Sequence, residues 1–178
     1  MLRDMEDMPA GFSDRGRERW HPPFTPVSKS CRTLFDLLSG RPPKEELTAS
    51  GAVTYQGDGI GQLAGVSLAV YQGDGAQRHL KGMRTAMEQC VTAADQSPDR
   101  GNQLSATALD LGKGTLADGA ARRLSGKVAG YPYEMQLVVA RQGHTLVGLV
   151  NAGMRAPDVR RTTELAKLLT AKVGTLDL

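Results

Sequence analysis

Apolar side chains recur at helical spacing in three stretches of the chain and alternate at strand spacing between them. The first helical stretch places Cys31, Leu34, Phe35 and Leu38 on one face. Ser28 or Ser30 can cap it, and Ser39-Gly40 with Pro42-Pro43 stop it. The second runs from about Gly75 to Ala94 with Asp74 as N-cap, and carries Leu80, Met83, Met87, Cys90 and Ala94 in one stripe. The third opens at Pro157 and carries Val159, Leu165, Leu168, Leu169 and Val173.

Strand patterns fill the rest. Ala52–Gln56 and Gln62–Gln72 alternate apolar and polar positions, and Gly57-Asp58-Gly59 between them suits a hairpin. Asp95–Asn102 reads as a loop. Four more strands are expected near 103–111, 119–128, 132–141 and 144–152, the last two joined at Gln142-Gly143. Hairpins dominate, and strands and helices do not alternate as a parallel sheet requires. The pattern predicts an α+β fold: a single antiparallel β-sheet of about five to six strands flanked by three helices. Residues 29–178 form this single domain. Residues 1–28 form an irregular N-terminal segment, because the three prolines of His21-Pro-Pro-Phe-Thr-Pro26 bar a helix interior. That segment either wraps the surface and pins Trp20 or Phe24, or is a mobile leader.

Composition narrows the class. With 178 residues, 40% hydrophobic and 23% charged, the chain suits one ordinary domain. No run approaches the roughly 20 apolar residues of a membrane span. The net charge of +3 is concentrated after residue 110, and three Phe and one Trp offer few platforms for bases. No nucleic-acid partner is expected.

The motifs that could carry chemistry have plainer readings. Tyr55-Gln-Gly-Asp-Gly59 recurs as Tyr71-Gln-Gly-Asp-Gly75, but each copy holds one acid where calcium needs six to eight oxygens. Gly59, Gly61 and Ala64 match a dinucleotide spacing, but a strand follows where a helix is required. His21, His79 and His144 lie in different elements without metal-ligand spacing. No cofactor, metal or catalytic group is indicated.

Cys31 and Cys90 each lie on an apolar helical stripe. If the two helices pack together, the thiols can meet, and the pattern favours a structural disulfide over two buried reduced thiols. Such a bridge points to an oxidising compartment.

Taken together, Asp7-Met-Pro-Ala-Gly-Phe12, the helix Cys31-Arg-Thr-Leu-Phe-Asp-Leu-Leu38, the second helix ending near Met87-Glu-Gln-Cys90, the meander through Val150 and the terminal helix carry a likeness. The chain resembles the extracytoplasmic sensor-like domains of actinobacterial envelope proteins. These occur in secreted lipoproteins and as the extracellular domain of PknH-type membrane kinases. The resemblance implies an antiparallel sheet with flanking helices and a cleft beside it, in a protein held outside the cell. It implies ligand binding or sensing and no enzymatic activity. Kinase-linked members tend to carry a second disulfide, which two cysteines cannot supply. Met1-Leu-Arg-Asp-Met-Glu-Asp7 has neither a signal pattern nor a lipid-attachment cysteine, so a leader or anchor upstream is expected.

The leading expectation is a non-enzymatic ligand-binding or sensor domain of a cell-envelope lipoprotein, with an unknown small molecule or envelope component as partner. Tyr55, Tyr71, Tyr131, Tyr133 and Arg141 are its candidate ligand contacts, since tyrosine pairs an apolar body with a polar tip. Capping of the core edge is the plainer role for each tyrosine. The alternative is an envelope protein–protein interaction module that docks through its sheet or through a basic C-terminal helix with Arg155, Arg160 and Arg161. An enzyme whose site is assembled only by folding is the third reading.

Overall fold

A computed structural model describes residues 2–176. Three helices, α1 (Lys29–Leu38), α2 (Gly75–Gln89) and α3 (Val159–Gly174), accompany seven strands. The strands are β1 (Leu47–Gln56), β2 (Leu63–Tyr71), β3 (Thr92–Ala94), β4 (Gln103–Ala108), β5 (Gly119–Val128), β6 (Tyr131–Gln142) and β7 (Thr145–Gly153). They form one antiparallel sheet in the order β1-β2-β7-β6-β5-β4-β3. The sheet thus has seven strands, against the five to six expected.

The added strand is β3. The second helix was expected to run to Ala94, but Cys90 leaves helical geometry (φ −76°, ψ 81°) as its C-cap. The following residues, Val91 and Thr92, are β-branched and favour extended backbone. Thr92–Ala94 then pairs with Gln103–Ser105.

Strand pleating sorts side chains onto two faces. The first face holds Ala69, Leu124, Met135, Leu137, Val139 and Leu146 against α1 and α2. The second holds Val66, Val138, Val147 and Leu149 against Leu165, Ala166, Leu169 and Val173 of α3. Central β7 is covered on both faces and buried throughout. A disulfide joins Cys31 of α1 to Cys90 at the end of α2, with Cα atoms 4.9 Å apart. Ser28 caps α1 and Asp158 caps α3, each accepting a backbone N–H.

The N-terminal segment is a strap. Its arms pair through Met5 N–H to Asp14 O (3.0 Å) and Gly16 N–H to Arg3 O (2.8 Å). Its second arm adds to the outer edge of β1, where Ser13 N–H reaches Gln56 O and Arg17 N–H reaches Thr54 O. Met5 packs on the second face. Trp20 and Phe24 cross to the first, each meeting Phe35 edge-on at 5.7 and 6.1 Å. The wrapped segment that pins Trp20 and Phe24 is therefore the form adopted.

Candidate functional site

Helix α3 covers β6 and β7 but does not reach across to β4 and β3. One side of the second face is therefore open. Pleating places Gln103, Ser105 and Thr107 of β4 and Arg123, Ser125 and Lys127 of β5 there, the three β4 residues opposite Lys127, Ser125 and Arg123. Glu134 and Gln136 of β6 continue the field opposite Ser125 and Arg123, and Asn151 of β7 lies opposite Gln136. A cavity of about 430 Å³ opens over its outer part, lined by Asp95, Asn102, Gln103, Ser105, Ser125 and Lys127 among others.

Burial is graded across this field. Gln103, Ser105 and Lys127 are exposed, Ser125 and Glu134 half-buried, and Gln136 and Asn151 fully buried. The buried end is hydrogen-bonded in series. Asn151 Nδ2 donates to Thr162 Oγ1 (2.9 Å), and Thr162 donates to Gln136 Oε1 (2.6 Å). Gln136 Nε2 donates to Pro157 O (2.8 Å) and Glu134 Oε1 (3.3 Å). Arg123 Nε lies 3.2 Å from the same Glu134 oxygen, an ion pair without hydrogen-bond alignment. Asn151 Oδ1 is buried with no partner among the described residues. A polar chain therefore runs from the start of α3 to an open surface of hydroxyls, amides and one lysine. Groups of this kind recognise polar ligands by directed hydrogen bonds.

The rim is fixed by local bonds. Burial acts against the charged form of Asp95, yet hydrogen bonds from Asn102 and from backbone N–H groups hold its carboxyl below the usual range. Asn102 Oδ1 in turn accepts from Ala129 N–H at 2.7 Å. Gly126 admits the close approach of β4, since a Cβ there would stand 2.2 Å from Gln103 O.

The five residues expected at a ligand site do not converge. Tyr55 is buried beneath the strap on the second face and its hydroxyl donates to Leu2 O. Tyr71 is buried on the first face, bonded to Pro43 O and stacked against His79 at 4.5 Å. Burial raises both phenols to about 12, with Asp4 adding to the effect at Tyr55 and Glu45 at Tyr71. Burial also raises Tyr133, which packs against the first-face core. Tyr131 is 63% exposed in the β5–β6 hairpin. Arg141 stands at the far end of β6, ten residues and about 33 Å along the strand from Tyr131. Its Nε donates to Asp118 (2.7 Å), which also accepts from Arg84 (2.7 Å). Burial opposes the charged form of Asp118, and bonds from Arg141 and Arg84 outweigh it and lower its pKa.

The open field itself went unread in the sequence. Its one signal is Glu134 and Gln136, two polar residues at alternate positions just before the apolar run 137–140 of β6. In the two Tyr-Gln-Gly-Asp-Gly turns the acids pair with arginines, Asp58 with Arg161 and Asp74 with Arg78, and Asp74 stands at the N-cap position of α2 without a side-chain capping bond. Among the described residues, no group of three His, Cys, Asp or Glu could hold a metal ion, and no helix is long and apolar enough to cross a membrane.

No protein-family model and no curated protein sequence matches the chain. Among solved structures, it is similar in fold to the extracellular domain of PknH from Mycobacterium tuberculosis, with a TM-score of 0.54 and 13% sequence identity. The match covers 74% of this chain and 66% of that one, and the likeness is one of fold.

Proposed function

We propose that this chain is a non-enzymatic, extracytoplasmic ligand-binding or sensor domain of a cell-envelope lipoprotein, and that its ligand is a polar molecule seated on the open field of β4 and β5. The observation that carries the reading is the graded polar surface from Gln103 and Ser125 to buried Asn151, beside a cavity of a small molecule's size. The disulfide supports an oxidising compartment. The fold shared with a kinase's extracellular domain supports the sensing role.

Thermal-shift screening of polar metabolites and envelope-extract fractions tests it. A ligand should raise the melting temperature of the wild type. Ser125→Trp, which fills the cavity from a half-buried position, should remove that shift and leave the ligand-free melting temperature within a few degrees. A stabilising ligand unaffected by Ser125→Trp would place the site elsewhere. No stabilising fraction at all would remove the support for a ligand cleft.

The alternative is docking through the sheet or the basic C-terminal helix, and local pairing weakens the helix half of it. Arg160 binds Asp158, and Arg161 binds Asp58 across Gly11. Arg155 has no ion pair among the described residues.

A further inference from the structure

Donors and acceptors are unequally spent on the polar field. Its two carboxylates are both engaged. Glu134 accepts from Gln136 Nε2 at 3.3 Å and stands 3.2 Å from Arg123 Nε. Asp95 accepts from Asn102 Nδ2 at 3.3 Å and from Ser97 N–H at 3.4 Å, with Arg100 Nη1 3.6 Å away. The cations are less well met. Lys127 is exposed and has no ion pair among the described residues. Arg123 Nε is buried and makes no hydrogen bond there, because its contact with Glu134 is unaligned. Both cations stand on the same face of β5 with Ser125 between them, each Cα about 7 Å from that of Ser125. Ser105 faces Ser125 across the strand pair, and Gln103 faces Lys127. The cavity lining holds no aromatic side chain. Tyr133 packs on the first face, and pleating sends Tyr131 to the same side. A sugar ring or a base therefore finds nothing to stack on, and recognition falls to directed hydrogen bonds and charge.

We propose that the ligand of this field is a small polar acid, and that its carboxylate or phosphate is held at Ser125 between Lys127 and Arg123. The proposal rests on the reading of the field as the ligand site and names the class of molecule that it takes. Lysine and arginine carry donors only, and the hydroxyls of Ser105 and Ser125 can donate as well. An oxyanion accepts only, so it matches the unspent donors, and its bonds to both cations are charge-assisted. It also gives the buried Arg123 Nε an acceptor, and an unmet buried donor is costly. Arg100, Arg123 and Lys127 against Asp95 and Glu134 leave one positive charge unbalanced on the field. A neutral polyol fills the same cavity but leaves Lys127 without a counter-charge, and a cation meets Lys127 with like charge. The body of the acid lies toward Gln103 and Ser105, which offer it an amide and a hydroxyl.

Isothermal titration calorimetry of the full, oxidised chain with matched pairs tests it: gluconate against sorbitol, and glycerophosphate against glycerol. For at least one pair the acid should bind with a dissociation constant of about 1 mM or lower, and its neutral partner at least about tenfold more weakly. The two pairs distinguish a carboxylate from a phosphate. Lys127→Met should weaken the acid at least about tenfold, and Lys127→Arg should retain it. Both variants should keep the ligand-free melting temperature of the wild type, because Lys127 is exposed. Lys167→Met, at an exposed lysine of α3 outside the field, should leave binding unchanged. Acid binding that survives Lys127→Met, or no binding by either acid up to about 10 mM, overturns the proposal. Equal binding of acid and neutral partner, abolished by Ser125→Trp, overturns the acidic ligand and leaves the field as the ligand site, so the two readings fail separately.

Discussion

Trp20 lies directly over Gly65, and the absence of a side chain at that position of β2 is what seats the indole. A Cβ on Gly65 would stand 2.8 Å from Trp20 Cβ and 2.7 Å from Val150 Cγ1, both inside real contact distances. Trp20 is 2% exposed and is the point where the strap enters the first-face core. Gly65→Ala is therefore expected to destabilise by about 1–3 kcal/mol through overpacking. Urea denaturation followed by tryptophan fluorescence measures it, since the chain has one Trp. A Gly65→Ala midpoint equal to wild type would mean that the strap does not pack here.

Cys31 and Cys90 are both fully buried, and their bond closes a loop of sequence separation 59. In the chain-entropy account this is worth about 4 kcal/mol of restriction on the unfolded state. The double variant Cys31→Ala, Cys90→Ala should lose roughly 2–5 kcal/mol. A non-reducing mass two hydrogens below the reduced one establishes the bridge directly. Two thiols open to alkylation in the folded protein would refute it.

Much of this architecture was visible in the sequence because it rests on local chemistry. Ser28 and Pro157 mark helix starts, and the Gly143 turn with its flanking alternation marks β6 and β7. What escaped was set by distant neighbours. In the first half of β1 Leu47 alone packs on the core and Thr48 through Gly51 are exposed, so Leu47-Thr-Ala-Ser-Gly51 shows no apolar alternation. The twin Tyr-Gln-Gly-Asp-Gly motifs look equivalent, yet Tyr55 pairs with Ala64, so odd residues of β1 share a face with even residues of β2. Tyr71 therefore falls on the opposite face. The polar field is legible only once Ser105, Ser125 and Glu134 are known to stand side by side in a sheet that α3 leaves partly bare.

Thr162 is the hub of the buried polar chain, donating to Gln136 and accepting from Asn151. Thr162→Val keeps the shape and removes both bonds. It should cost about 1–3 kcal/mol, because Asn151 and Gln136 are fully buried and cannot turn to water. A double-mutant cycle with Asn151→Leu measures the coupling, expected at about 0.5–3 kcal/mol. Additive effects would show that the three side chains do not act as a unit.

Alkaline titration reads the two buried phenols. Tyr55 and Tyr71 are raised from 10.0 to about 12, by burial first and by Asp4 and Glu45 second. The folded chain keeps these protons where the unfolded chain has released them. The stability that depends on them is fully present below about pH 10 and falls as the pH rises through 12, by about 1.4 kcal/mol per pH unit for each tyrosine. The comparison is with Tyr55→Phe and Tyr71→Phe. Each substitution should remove one tyrosine's share of the slope of unfolding free energy against pH. Tyrosinate absorbance of the folded wild type should show Tyr55, Tyr71 and Tyr133 titrating above the ordinary phenol value. A slope unchanged in both variants would mean that neither hydroxyl is shielded by the strap or by α2.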